Sequence, residues 1–163
     1  MSYPPVRYEA TEGTTAATFR AATDARDLDN PAGGGVAYLA SAALTDGDYG
    51  LFRWDMGAAP SGPAPHFHRS ITESFFVLNG TVRLYDGTGW IDARPGDFLF
   101  VPEGGVHGFR NNSSEPSSML ILFAPGAPRE GYFEAIAERA AGRSYSDEEW
   151  RAVCERHDNY FLP

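Results

Sequence analysis

Pro65-His66-Phe67-His68-Arg69-Ser70-Ile71-Thr72-Glu73, followed by Gly96-Asp97-Phe98-Leu99-Phe100-Val101-Pro102-Glu103-Gly104-Gly105-Val106-His107, holds three of the chain's four histidines. His66 and His68 are two apart, so on a strand both rings leave the same face. A hairpin turn at Arg69-Ser70 would return Glu73 on the neighbouring strand. Asn79-Gly80 signals another hairpin, because both central residues of a type I′ turn need positive φ. That register sets Val77 opposite Val82 and Phe75 opposite Leu84, and opposed residues share a face. Glu73 then stands with Phe75, Val77, Val82 and Leu84, a carboxylate on an apolar wall. Phe98 to Val101 reads as a strand between two turns, and His107 opens another with Phe109 on its face. His66, His68, Glu73 and His107 are together the ligand set of a mononuclear divalent-metal site.

These residues resemble the two signature motifs of the cupin superfamily. The first, His-x-His, four residues, Glu, six residues, Gly, is matched by His66, His68, Glu73 and Gly80. The second, Gly, five residues, Pro-x-Gly, two residues, His, three residues, Asn, is matched by Gly96, Pro102, Gly104, His107 and Asn111. Residues 81 to 95 separate them, as in compact single-domain members. The leading glycine of the family pattern is Pro60 here, and Gly62 with the nearby prolines is expected to shape that turn. The resemblance implies an all-β protein, a double-stranded β-helix (cupin jelly-roll barrel) over about residues 35–125 with the metal inside. The C-terminal quarter, with two expected helices, resembles the helices that follow the barrel in quercetinase-like and other small cupins.

Length and composition suit one domain. The 163 residues can bury a sizeable core. Net charge is −9 and all 13 basic residues are arginine, with no basic cluster, which argues against nucleic acid as a partner. Nothing resembles a secretory signal or a membrane span, and the single Cys154 excludes an internal disulfide. A cytoplasmic protein is the expectation.

Outside the motifs, residues 1–13 read as a polar arm and Thr14 to Arg20 as a first strand. Ala21 to Gly35 is loop. Val36 to Leu44 and Tyr49 to Met56 form strands joined at Asp46-Gly47, the second with Phe52, Trp54 and Met56 on an inward face. Thr88 to Ala93 is a short strand. Ser117 to Ala124 is apolar on both faces, so the barrel core should cover one side and a helix or partner chain the other. A homodimer is expected. Within about residues 129–158, Phe133, Ile136, Ala137 and Ala140 make one helical stripe. Ser146 with Glu149 forms a capping box ahead of a second, Trp150, Val153, Cys154 and His157. His157 and Cys154 thus sit on a packing face, and the helices are expected outside the sheet. Deleting residues 144–163 should then leave the metal in place.

Three imidazoles and one carboxylate suit one divalent transition ion, Fe, Mn, Ni, Co, Zn or Cu, without choosing among them. Phe75, Val77, Val82, Leu84 and Phe109, with Phe52, Trp54 and Met56, are the expected substrate contacts. Arg53 and Arg83 point away from them, which disfavours a sugar phosphate. The expected function is a dioxygenase acting on a hydrophobic phenolic or enolic aromatic, with Glu73 as catalytic base. A non-redox cyclase or isomerase of polyketide-like substrates, or a small-molecule-binding module without turnover, are the alternatives.

Overall fold

The computed structural model describes residues 2–162; Met1, the start of the expected arm, lies outside them. Eleven strands and two helices follow in order: β1 (Leu28–Asp29), β2 (Gly34–Ala40), β3 (Gly50–Met56), β4 (His66–Phe67), β5 (Thr72–Asn79), β6 (Val82–Tyr85), β7 (Trp90–Ala93), β8 (Phe98–Val101), β9 (Gly108–Arg110), β10 (Ser117–Ala124), α1 (Glu130–Ala140), α2 (Asp147–Arg156) and β11 (Tyr160–Phe161). One sheet runs β1-β2-β3-β10-β5-β8, all antiparallel. The facing layer is β7-β6-β9. It continues through the single bridges Ser61–Asn111 and His66–His107 to the β4–β11 pair. The two layers close a double-stranded β-helix barrel. No helix among the described residues is long and apolar enough to cross a membrane.

Alternation builds the core. Phe52 and Met56 of β3, Glu73, Phe75 and Val77 of β5, and Met119, Ile121 and Phe123 of β10 are buried, while their strand neighbours face outward. Val82 and Leu84 of β6 and Phe109 of β9 meet them from the other sheet. The Phe75 and Phe109 rings lie 5.8 Å apart and Trp54 and Phe109 5.7 Å apart. Each buried large apolar side chain contributes about 1.5–3 kcal/mol.

The expected hairpin at Asn79-Gly80 is instead a corner. β5 pairs with β10 and β8, and β6 with β7 and β9, so the turn carries the chain from one sheet to the other. A type I′ hairpin needs positive φ at both central residues, yet of this pair only Gly80 has it, at 71°. Phe75, Val77, Val82 and Leu84 still share the inward side, because inward residues of both sheets meet in one core. Asp46 and Gly47, with φ of 53° and 79°, do turn between the paired strands β2 and β3. Arg69-Ser70 does not form a hairpin either, since β4 pairs with β11.

Thr14 to Arg20 forms no strand. Nothing covers it, and Phe19 is 89% exposed. The irregular N-terminal region reaches residue 27, anchored in part by an Arg7–Asp48 ion pair. The capping box of α2 is present in both directions. The helices do not cover the outside of the sheet. Phe133 of α1 meets the inward rings of Phe52, Trp54 and Phe123 at 5.0, 5.3 and 6.4 Å, so α1 closes over the mouth of the barrel. The outer face is left with Phe76, Leu78, Phe98 and Phe100 exposed.

Candidate metal centre

The fold delivers the four predicted ligands to one point. His66 lies on β4 and is bridged to His107, so two histidines share a backbone ladder, with reciprocal N–H to O bonds of 2.8 and 2.9 Å. His68 follows β4. Glu73 enters from the opposite sheet on β5, set in register with Val101 and Phe123. Gly62 takes the place of the missing leading glycine: its φ is 130°, and a Cβ there would stand 2.1 Å from the Phe109 carbonyl oxygen. Asn111 is fully buried and bonds to the carbonyls of Gly57 and Glu115, so it fixes a turn rather than facing the centre.

All four ligand side chains are buried, and one donor atom from each lies within 4.8 Å of the others. That is close to what an ion with bonds of about 2.0–2.2 Å spans. The hydrogen bonds fit a metal further. Nδ1 of His66, His68 and His107 lies 3.0, 2.5 and 2.9 Å from the carbonyl oxygens of Ala64, Asp158 and Gly105. A carbonyl can only accept, so each Nδ1 carries the proton and Nε2 faces the centre as the coordinating atom. Nε2 of His68 and His107 stands 2.9 and 2.7 Å from Glu73 Oε2. Nitrogen lone pairs converging on a carboxylate require a positive charge between them, a proton or an ion.

Titration follows from this crowding. In the metal-free protein, with protons on Nε2 in the ion's place, burial would raise the pKa of Glu73, but hydrogen bonds from His107 and His68 outweigh it and hold the carboxyl below its usual range. Burial pushes His66 down to about 3, reinforced by His107. Burial also pulls on His107, yet its hydrogen bond to Glu73 leaves its pKa raised.

The centre opens into a cleft of about 980 Å³ between barrel and helices. Of the expected substrate contacts, Trp54, Met56 and Phe109 line it. Phe52, Phe75, Val77, Val82 and Leu84 point inward as expected, but they are packed into the core and do not border the cleft. Their places are taken by groups that sequence reading missed: Ile121, Phe123, Tyr132, Phe133 and Arg129. Arg129 is only 3% exposed. Its guanidinium donates to the His157 carbonyl and to Asn159 Oδ1, and lies 4.7 Å from the Phe123 ring centroid. No signal of spacing marks it, because Pro128-Arg129 precedes the helical stripe. His157 caps α2 beside Tyr132, and Cys154 is buried in the same packing face; neither belongs to the four-ligand group.

Residues 52–123, less than half of the chain, match the family described as "Cupin domain", and the chain folds as a double-stranded β-helix around a buried His/Glu cluster. An uncharacterized protein of Aquifex aeolicus (strain VF5) is 39% identical over 61 residues, 37% of this chain and 50% of its own. Quercetin 2,3-dioxygenase of Bacillus subtilis (strain 168) is 31% identical over 80 residues, 49% of this chain and 23% of its own. The chain thus matches half or less of the length of these curated relatives. A solved structure described as a predicted oxalate decarboxylase from Thermotoga maritima shares the fold at TM-score 0.52 and 19% identity, covering 61% of this chain and 94% of that one.

Proposed function

We propose that the protein is a metal-dependent dioxygenase acting on a hydrophobic phenolic or enolic aromatic. The observation that carries this reading is a buried three-histidine, one-glutamate centre set in the wall of an apolar cleft. His66, His68, His107 and Glu73 would hold one divalent transition ion, whose chemistry is to polarise a substrate oxygen and, if redox-active, to pass electrons toward O₂. Trp54, Phe109, Phe123 and Phe133 offer aromatic faces to a flat ligand and keep water out. Arg129 adds a buried cation to the same wall, which suits a substrate that turns anionic on binding. Glu73, the only carboxylate in the ligand cluster, would take the hydroxyl proton of such a substrate. Support also comes from the partial match to a quercetin dioxygenase.

The test is turnover of a flavonol and polyketide-like panel by protein reconstituted separately with Fe, Mn, Ni, Co, Zn and Cu, with oxygen uptake recorded. Oxygen consumed with product is expected, and Glu73→Gln should lower kcat by about 10²–10⁴-fold with less change in KM. Turnover that is unchanged without O₂ and supported by Zn would replace this reading with the cyclase or isomerase. Saturable binding without product under either gas would replace it with a binding module.

A further inference from the structure

We infer that the C-terminal segment Asp158–Phe161 is a clamp that positions two of the four metal ligands, so that ion affinity and seating of the C-terminal segment over the cleft are coupled. The inference rests on the metal reading above. Its basis is an asymmetry among the three histidines. His66 and His107 each find their Nδ1 acceptor two residues back, on Ala64 and Gly105, so their own loops set the ring. His68 depends on the carbonyl of Asp158, ninety residues away in sequence, at 2.5 Å.

Asp158 is built for the contact. It adopts a left-handed conformation, φ 57°, which short polar residues tolerate best among those with a Cβ. In that conformation its carbonyl reaches His68 while its carboxylate accepts from the Arg69 amide at 2.9 and 3.0 Å. The same carboxylate also takes the Ser70 amide at 2.8 Å and the Ser70 hydroxyl at 2.7 Å. One residue therefore fixes both the ring of His68 and the loop that leads from it to Glu73. The next residues hold His66: β11 pairs Phe161 with His66 and Tyr160 with Phe67, and the Phe161 ring lies 5.4 Å from the His66 ring.

The clamp is itself anchored from inside the cleft. Arg129, at the start of α1, donates to the carbonyl of His157 and to Asn159 Oδ1, on either side of Asp158. Asn159 is 1% exposed and its amide bonds back to Cys154 in α2. A partner that orients a metal-bound histidine typically changes ion affinity by about ten- to hundredfold when removed. Here that partner belongs to a segment whose Asn159, Tyr160 and Phe161 also line the cleft, so an ion held by His68 should stiffen residues 158–162. By linkage, docking of those residues should tighten the ion by the same factor.

The experiment uses the full chain with Zn²⁺ or Co²⁺ alone. Chelator competition should give an ion Kd at least tenfold weaker for Asp158→Ala, with part of the loss recovered in Asp158→Asn, which keeps one acceptor oxygen. Val82→Ala, a core change remote from the clamp, should lower thermal stability without moving Kd. In the unaltered protein, hydrogen exchange at the amides of Arg69, Ser70 and Leu162 should slow at least tenfold when the ion is added. Unchanged Kd in Asp158→Ala together with unchanged exchange would overturn the clamp, and exchange alone decides if Asp158→Ala does not fold. His66→Ala separates the two claims: if it retains full metal content, the metal reading itself fails; if it loses metal, the clamp is judged by the other measurements.

Discussion

Each histidine of the centre turns one nitrogen to a backbone carbonyl and the other to a shared point, and this decides how the metal-free protein responds to acid. Burial and His107 hold His66 neutral, with its pKa near 3, whereas in an unfolded chain it titrates near 6.5. As pH falls from about 6.5 toward 3, the unfolded state takes up a proton that the folded state refuses, and stability is lost across that window. Glu73, held deprotonated by its two imidazole donors, acts in the same direction below about pH 4.3, its unfolded value. His107, which Glu73 raises against the pull of burial, opposes them, stabilising at low pH and losing that contribution as pH rises. Chelator-treated protein should therefore lose urea resistance between pH 7 and 4.5, and lose less of it in His66→Gln, which has no proton to refuse. An equal loss in both would show that His66 is not the source. At this scale the ligands were legible, because spacing on strands and turns puts His66, His68, Glu73 and His107 in register whatever surrounds them. Arg129 and Asp158 were not. One acts through burial against a distant segment, the other through a main-chain carbonyl held in place by its own carboxylate's bonds to the distant Arg69-Ser70 loop, and neither leaves a pattern in side-chain types.

At the scale of elements, sequence periodicity tells that a face is buried but not against what. The stripe of Phe133, Ile136, Ala137 and Ala140 read correctly as a helix, yet it lies over the barrel mouth rather than behind the sheet. Its position is set largely by aromatic contacts of Phe133 with the inward rings of Phe52 and Trp54, 81 and 79 residues away in sequence, which no local signal records. The same limit explains the corner at Asn79-Gly80, where a pair that often makes hairpins joins two sheets. It also changes the outcome expected for loss of residues 144–163, since that segment contains Asp158. Phe133 is the residue on which α1 turns, with Tyr38, Phe52, Trp54 and Phe123 all within 6.5 Å between ring centroids. Phe133→Ala should cost about 3–5 kcal/mol in urea unfolding, the range for a buried Phe that leaves a cavity. A loss below about 1 kcal/mol would mean that α1 is only loosely seated.

For the whole molecule, the position of the helices leaves the outer face of the large sheet to be accounted for. Ser117 to Ala124 was expected to be covered on both sides; the core covers Met119, Ile121 and Phe123, while Leu120 and Leu122 remain half-buried on the open side. The register continues that surface across the sheet, with Leu120 beside Phe76 and Phe76 beside Phe98, and with Leu122 beside Ser74 and Ser74 beside Phe100. Phe98 and Phe100 are 62% and 55% exposed on the edge strand β8. We propose a second copy of the chain as the occupant of this face. On a molecule of net charge −9, most surfaces of two copies repel. This one carries no charge across β8, β5 and β10, and it is apolar, hence complementary to itself in a two-fold pairing. Burying the exposed part of each Phe would contribute about 1 kcal/mol or more per copy. The chain should sediment at twice its 17.7 kDa mass at micromolar concentration. Phe98→Asp combined with Phe100→Asp should weaken that association at least a hundredfold and leave ion affinity unchanged, because neither residue borders the centre. Sedimentation of the unaltered chain as a monomer at that concentration would rule the dimer out.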